Sequence, residues 1–88
     1  MITRHYEVLN ELGLHARVAS RVVREARKYK SSVIAKKEGR DYDLSNVTGV
    51  ITVNAKKGEV LEIEFNGDDE EAAAEAIMLL FLNKFGEK

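Results

Sequence analysis

The sequence contains no cysteine, no proline and no tryptophan, and aromatic residues make up only 7% of its 88 positions. Without cysteine, the chain has no disulfide to hold its fold and no thiolate to act as a nucleophile or metal ligand. Its stability must therefore come from a hydrophobic core, and a reducing compartment is the default expectation.

Long hydrophobic segments and an excess of charge of one sign are also absent. The longest apolar run covers residues 76–82, whereas a membrane-spanning helix needs about 20 residues. No long apolar segment follows the first charged residues, so no signal peptide is visible. The formal net charge of −1 argues against nucleic acid as the main partner. We therefore expect a cytoplasmic protein that binds neither membranes nor nucleic acids.

The residues needed for metal or hydrolytic chemistry are scarce as well. The two histidines, His5 and His15, lack the spacing of a metal site, and the alternation of the first strand places His5 on a solvent-facing side. No pair of side chains forms a plausible catalytic dyad for hydrolysis. We therefore expect no metal, no cofactor and no enzyme activity.

What the chain does contain predicts one α+β domain over residues 1–88. Hydrophobic residues make up 44% and charged residues 33%, which is ordinary for a globular protein, and a second domain would be too small to bury a core. Periodicity and turn residues predict strands and helices in alternation. The strands cover 2–9, 32–36, 40–44 and 59–65, and the longer helices cover 16–29 and 69–84.

Two segments carry further local predictions. Residues 45–58 are rich in β-branched side chains, which favour a strand, yet the spacing of Val47, Val50 and Ile51 is helical, with Ser45 or Asn46 as a cap. This segment is ambiguous from its residues alone. The last helix is expected to begin with a capping box of Asp68 and Glu71. Its second half is apolar on more than one face, mostly for the core and in part for a dimer contact.

A histidine motif stands where the first loop meets the first helix, and it reads Gly13-Leu14-His15-Ala16-Arg17. No Ser, Thr, Asp or Asn lies at 12–17 to cap the first amides of that helix. Those amides, the positive end of the helix dipole and the Arg17 guanidinium converge in front of His15. This arrangement predicts an anion site, and phosphate is the natural anion.

The motif at this position, in a chain of this length, resembles the HPr family of histidine phosphocarriers of the bacterial sugar phosphotransferase system. The resemblance extends to the element order, to Gly39, Gly49 and Gly58, to the turn at 67–70 and to the closing helix. It implies an HPr-like open-faced β-sandwich, with a four-stranded antiparallel sheet covered on one face by three helices (βαββαβα). It also implies that residues 45–58 form a short helix and a loop.

The resemblance implies a function and a set of residues. His15 would accept phosphate on Nδ1 from enzyme I and pass it to sugar-specific enzyme IIA proteins, with Arg17 stabilising the phosphoryl group. The backbone amides of Ala16, Arg17 and Val18 would bind its oxygens. We expect a monomer whose partner surface combines a basic rim with apolar contacts; it comprises Ser20, Arg21, Arg24, Arg27, Val47, Thr48 and Ile51.

Three positions depart from the usual family pattern. Val18 stands where a proline is common, which loosens the helix start but adds an amide donor. Asn46 stands where kinase-regulated members have a serine, so that regulation is expected to be absent or altered. Thr48 replaces a larger apolar residue and shrinks the docking patch. These changes indicate a divergent carrier with partners of its own.

Two other functions remain open. One is a regulatory docking protein on the same scaffold, with weak or no phosphotransfer. The other is a small-molecule-binding module of the ferredoxin-like or ACT kind, which has a similar alternation of strands and helices and would bind an apolar ligand as a dimer.

Overall fold

The computed structural model describes residues 1–87. Four strands and three α-helices make up the fold, and a single 3-10 turn follows the last helix. In chain order they are β1 (Ile2–Glu7), α1 (Ala16–Ala26), β2 (Ser32–Lys37), β3 (Arg40–Asp43), α2 (Val47–Val53), β4 (Val60–Asn66), α3 (Glu70–Leu82) and the 3-10 turn Lys84–Gly86. The α+β class and the βαββαβα order are those predicted.

The sheet is antiparallel throughout, and its strand order is β1-β4-β2-β3. The last strand in the sequence, β4, therefore lies between β1 and β2. The register pairs Tyr6 with Leu61 and Ala35 with Ile63, so these four side chains share one face. All four are buried, and this face packs against the helices. The opposite face carries mostly polar and charged side chains, such as Thr3, Glu62 and Glu64.

The core lies between the apolar face of the sheet and the helices. From α1 it takes the predicted stripe Val18, Ala19, Val22, Val23 and Ala26. From α3 it takes Ala73, Ala74, Ile77 and Phe81, while Leu79 and Leu82 remain exposed. The buried Tyr6 hydroxyl donates a 2.7 Å hydrogen bond to the carbonyl of Ala74, and burial raises the pKa of Tyr6. The ring is thereby packed and its polar end is satisfied.

The segment that was ambiguous in the sequence contains the helix α2. The Asn46 side chain accepts a 2.8 Å hydrogen bond from the amide of Thr48 and caps the helix. Gly49 lies against the end of β3, where a Cβ would collide with the carbonyl oxygen of Asp43. Asn54 adopts the left-handed conformation (φ 50°, ψ 47°) and ends the helix. Tertiary packing and caps therefore override the strand preference of the β-branched residues.

Other boundaries differ from the predictions. Helix α1 ends at Ala26 rather than at Tyr29, because the amides of Lys28 and Tyr29 bond to carbonyls three residues back, in tight turns that end the helix. Tyr29 still packs against the core, which is why it fitted the apolar stripe. Strand β1 stops at Glu7 and α3 at Leu82, each two residues before its predicted end.

The predicted capping box of Asp68 and Glu71 is wrong. The residue before α3 is Asp69, and its side chain makes no cap hydrogen bond. Its carboxylate instead accepts hydrogen bonds from the amides of Lys30 (2.8 Å) and Ser31 (2.9 Å) and from the Ser31 hydroxyl. This aspartate ties the start of α3 to the turn after α1.

Among residues 1–87, no helix is long and apolar enough to cross a membrane.

Candidate functional site

The loop between β1 and α1 is fixed by buried hydrogen bonds. Asn10, only 1% exposed, donates from Nδ2 to the carbonyl of Gly13 at 2.7 Å. The amide of Leu14 donates to the carbonyl of Ala55, just beyond α2, at 3.0 Å. Gly13 has a φ of +66°, and a Cβ there would collide with the Ala55 carbonyl oxygen. The backbone thus passes so close to its neighbour that glycine is required at position 13.

His15 occupies the N-cap position of α1. Its backbone is extended (φ −89°, ψ 179°), and its carbonyl accepts a 2.8 Å hydrogen bond from the amide of Ala19. The His15 side chain makes no cap hydrogen bond, so the amides of Ala16, Arg17 and Val18 are the leading donors of the first turn. One quarter of the His15 side chain is exposed. His15 therefore stands at the N-terminus of α1, the end at which the leading amides and the positive pole of the helix dipole lie.

Arg17 reaches the same space from the first turn of α1. Its side chain is 70% exposed, and Nη1 lies 3.7 Å from Oε2 of Glu87. Because most of this side chain remains accessible, its guanidinium can pair with the oxygens of an anion.

The carboxylate of Glu87 is a member of the site that the sequence analysis missed. Nε2 of His15 lies 3.0 Å from Oε1 and 2.9 Å from Oε2 of this carboxylate. Asn10 donates from Nδ2 to the same Oε1 at 2.9 Å. The hydrogen bond with His15, followed by that from Asn10, holds the pKa of Glu87 below its usual value. A separation of 72 residues in the chain left no local pattern from which this contact could be predicted.

A strap of residues 83–87 brings that carboxylate to the site. Lys84, Phe85 and Gly86 have positive φ values of 52°, 56° and 80° in succession. The Phe85 side chain is fully buried, and its ring lies edge-on to that of Phe81, with 4.8 Å between centroids. Left-handed backbone is unfavourable for residues with a Cβ, so the buried ring holds the strap in this course.

The predicted partner residues divide into two groups. Arg21 donates from Nη1 to the carbonyl of Phe85, and Arg27 donates from Nε to the carbonyl of Ser45 at 2.8 Å. These two guanidinium groups therefore also stabilise their own chain. The others are exposed side chains on α1 and α2, namely Ser20, Arg24, Val47, Thr48 and Ile51.

A shallow groove runs between α1 and α2, beside the histidine motif. Val47 and Ile51 of α2 are 43% and 45% exposed. The groove is lined by Ser20, Val23, Arg24, Arg27, Lys28 and Val47. A surface with apolar residues inside a basic margin suits contact with another protein.

A family profile and two known proteins match this chain over most or all of its length. The family profile described as the PTS HPr component phosphorylation site matches residues 2–83. The phosphocarrier protein HPr of Treponema pallidum is 35% identical over 88 residues, which cover all of both chains. HPr of Xylella fastidiosa (strain Temecula1) is 33% identical over 87 residues, which cover 99% of this chain and 98% of that protein.

Solved structures agree with the sequence relatives. The crystal structure of HPr-C-His from Thermoanaerobacter tengcongensis superposes with a TM-score of 0.94 at 33% identity, covering 100% of this chain and 99% of that one. An HPr dimer from the same organism gives a TM-score of 0.78 at 34% identity, covering 92% and 93% of the two chains. On these likenesses in sequence and fold, the chain belongs to the HPr family of phosphocarrier proteins of the phosphotransferase system.

Proposed function

We propose that this chain carries a phosphoryl group on His15, accepts it from enzyme I and passes it to sugar-specific enzyme IIA proteins. The observation that carries the proposal is the position of the imidazole at the uncapped N-terminus of α1, with the Arg17 guanidinium in the same space. This arrangement offers a nucleophile and an anion site at one point of the surface.

The chemistry needs little beyond that geometry. Nδ1 of His15 attacks phosphorus, and the bond from phosphorus to the donor breaks as the bond to Nδ1 forms. The resulting phosphoramidate is labile enough to be passed on, whereas a serine ester would be too stable. The protein contributes position and charge: Arg17 and the leading amides of Ala16 and Val18 stabilise the transferring oxygens. Valine at 18, in place of the family's usual proline, keeps its amide available for this purpose.

The decisive experiment asks whether the imidazole of His15 takes up phosphate. The chain is incubated with enzyme I and phosphoenolpyruvate, and its intact mass is recorded. We expect a gain of one phosphoryl group in the native chain, and no gain in His15→Ala. The matched control is His5→Ala, because His5 lies on the opposite polar face with 60% of its side chain exposed, and this variant should still gain the group. A native chain that binds enzyme I yet gains no mass would instead be a docking protein.

The groove between α1 and α2 is the surface we propose for the partners, with Val47, Thr48 and Ile51 as contacts and the arginines of α1 as a basic rim. Such a rim steers acidic partners and makes association faster at low salt. Arg24→Glu should therefore slow transfer, and the effect should shrink as salt rises. Arg40→Glu makes the same change of charge at an exposed site in the β2–β3 hairpin and should leave the rate unchanged. Equal slowing by both variants would contradict this surface.

We further propose that residues 1–88 act as a single domain and as a monomer. Sedimentation at micromolar concentration should give the mass of one chain. A concentration-dependent dimer would contradict this and would connect the exposed Leu79 and Leu82 of α3 with an interface.

A further inference from the structure

We propose that Glu87 is a positioning residue for His15, holding the ring proton on Nε2 both before and after phosphorylation so that Nδ1 alone exchanges the phosphoryl group. This inference rests on the proposed function, and it concerns a residue that the histidine motif does not contain.

The first argument is geometric. Both oxygens of the Glu87 carboxylate lie within 3.0 Å of Nε2, and only 13% of the Glu87 side chain is exposed. Asn10, itself buried, donates to Oε1 at 2.9 Å and to the loop carbonyl of Gly13 at 2.7 Å. The carboxylate is therefore oriented by a second bond that does not depend on the ring. Within residues 1–87, by contrast, Nδ1 has no hydrogen-bond partner.

The second argument identifies the tautomer. The same two donors keep the pKa of Glu87 low, so near neutral pH its carboxylate is ionised and can only accept hydrogen bonds. The proton between the two groups must then belong to the ring. In the neutral imidazole, a proton on Nε2 leaves the lone pair on Nδ1, which is the atom that has to attack phosphorus.

The third argument concerns the phosphorylated ring. When Nδ1 bonds to phosphorus and Nε2 keeps its proton, the ring becomes positively charged, and the carboxylate beside Nε2 offsets that charge. On transfer to an acceptor, the Nδ1–phosphorus bond breaks and its electron pair returns to Nδ1. The proton stays on Nε2, and the ring leaves as neutral imidazole. Neither direction requires a proton to move, so one fixed carboxylate serves both.

Other charged side chains lie near the pair formed by His15 and Glu87, and a test must separate their effects from the effect of Glu87. Arg17 and Arg21 approach from α1, and Glu11 approaches from the loop; all three line the same cleft as Glu87. Glu11 is bonded to Lys57 at 2.6 Å rather than to the imidazole. Glu11→Gln therefore removes a carboxylate from the same cleft without touching the ring, and it is the matched control.

The first test needs no phosphate. In spectra that correlate ¹H and ¹⁵N within the imidazole, the native chain should show a proton on Nε2 of His15 that is shifted downfield and exchanges slowly with water. Glu87→Ala should lose this protection, and Glu11→Gln should retain it. The reciprocal variant, His15→Ala, should raise the pKa of the Glu87 carboxyl toward its usual value. This pKa can be measured from the ¹³C chemical shift of the carboxyl carbon as the pH is varied. A proton on Nδ1 in the native chain, or unchanged protection in Glu87→Ala, would overturn the inference.

The second test uses the chain phosphorylated with phosphoramidate, which makes enzyme I unnecessary. The phosphoryl group should be on Nδ1. The ³¹P shift then reports the pH at which the phosphorylated ring loses its Nε2 proton. This midpoint should fall by about one pH unit in Glu87→Gln, since an opposite charge at hydrogen-bond distance is lost, and it should not move in Glu11→Gln. A phosphoryl group on Nε2, or equal midpoints in all three chains, would refute the role of Glu87. If these results hold but enzyme I transfers nothing, the proposed function fails and the pairing stands.

Discussion

Truncating Phe85 to alanine should release the strap of residues 83–87 and leave the rest of the fold in place. Phe85 is the only fully buried side chain of that segment among the described residues, and it holds a backbone that would otherwise leave the left-handed region. Once its ring is gone, hydrogen bonds such as those from Arg21 and Asn10 still hold the strap, but each contributes only about 1 kcal/mol.

The expected magnitude follows from two opposing effects. Replacing a buried phenylalanine with alanine typically costs about 3–5 kcal/mol. Against this, left-handed backbone costs about 1–2 kcal/mol for each residue with a Cβ, and a released strap recovers that amount at Lys84 and at Phe85. The net loss in the free energy of unfolding should therefore be only about 1 kcal/mol.

Phe65→Ala is the control for this prediction. Phe65 is also fully buried, but it lies in β4 between two strands and cannot detach, so its loss should cost the full value of about 3–5 kcal/mol. Urea denaturation of both variants gives the two free energies, and exchange of the His15 ring proton reports whether the strap has left. Equal losses in the two variants, or a ring proton still protected in Phe85→Ala, would refute this reasoning.

Three further predictions concern parts of the fold that position the site. Gly13→Ala should lower the free energy of unfolding by about 1–3 kcal/mol in thermal or urea denaturation, because the left-handed backbone and the Ala55 carbonyl both exclude a Cβ. Asn46→Ala should cost about 1 kcal/mol through the lost cap of α2, and Asn46→Asp should recover most of it. The pKa of Asp69 is lowered, chiefly by the Ser31 hydroxyl, so this carboxylate contributes stability above its usual pKa of 3.8 that is lost as the pH falls below it. Asp69→Asn should therefore flatten the acid side of the curve of urea midpoint against pH, and an unchanged slope would contradict the assignment.

The parts of the site that are local in sequence could be predicted, because each depends on neighbours along the chain. The uncapped start of α1 follows from the absence of Ser, Thr, Asp and Asn at 12–17. The alternation of apolar and polar residues in β4 and the apolar stripe on α1 also predicted which faces are buried, because both patterns are local in the sequence.

The parts that join distant segments could not be predicted from residue patterns. Intrinsic preference left α2 undecided, because contacts of Gly49 with β3 and the Asn46 cap outweigh β-branching there. Asp69 looked like part of a helix start, but its oxygens are used by the turn 38 residues earlier. Glu87 had no visible role at all, since a left-handed turn and a buried ring bring it to the imidazole of His15.

The place of β4 in the middle of the sheet has a consequence for biosynthesis. Strand β1 lies at an edge of the sheet and pairs with β4, so pairs such as Ile2 with Phe65 close only after most of the chain has left the ribosome. Contacts this far apart in sequence delay folding, because a long loop must close before they form. A nascent chain that has already exposed its histidine motif therefore still lacks the complete sheet on which helix α1 packs. The site is complete only late in synthesis, when β4 pairs with both β1 and β2.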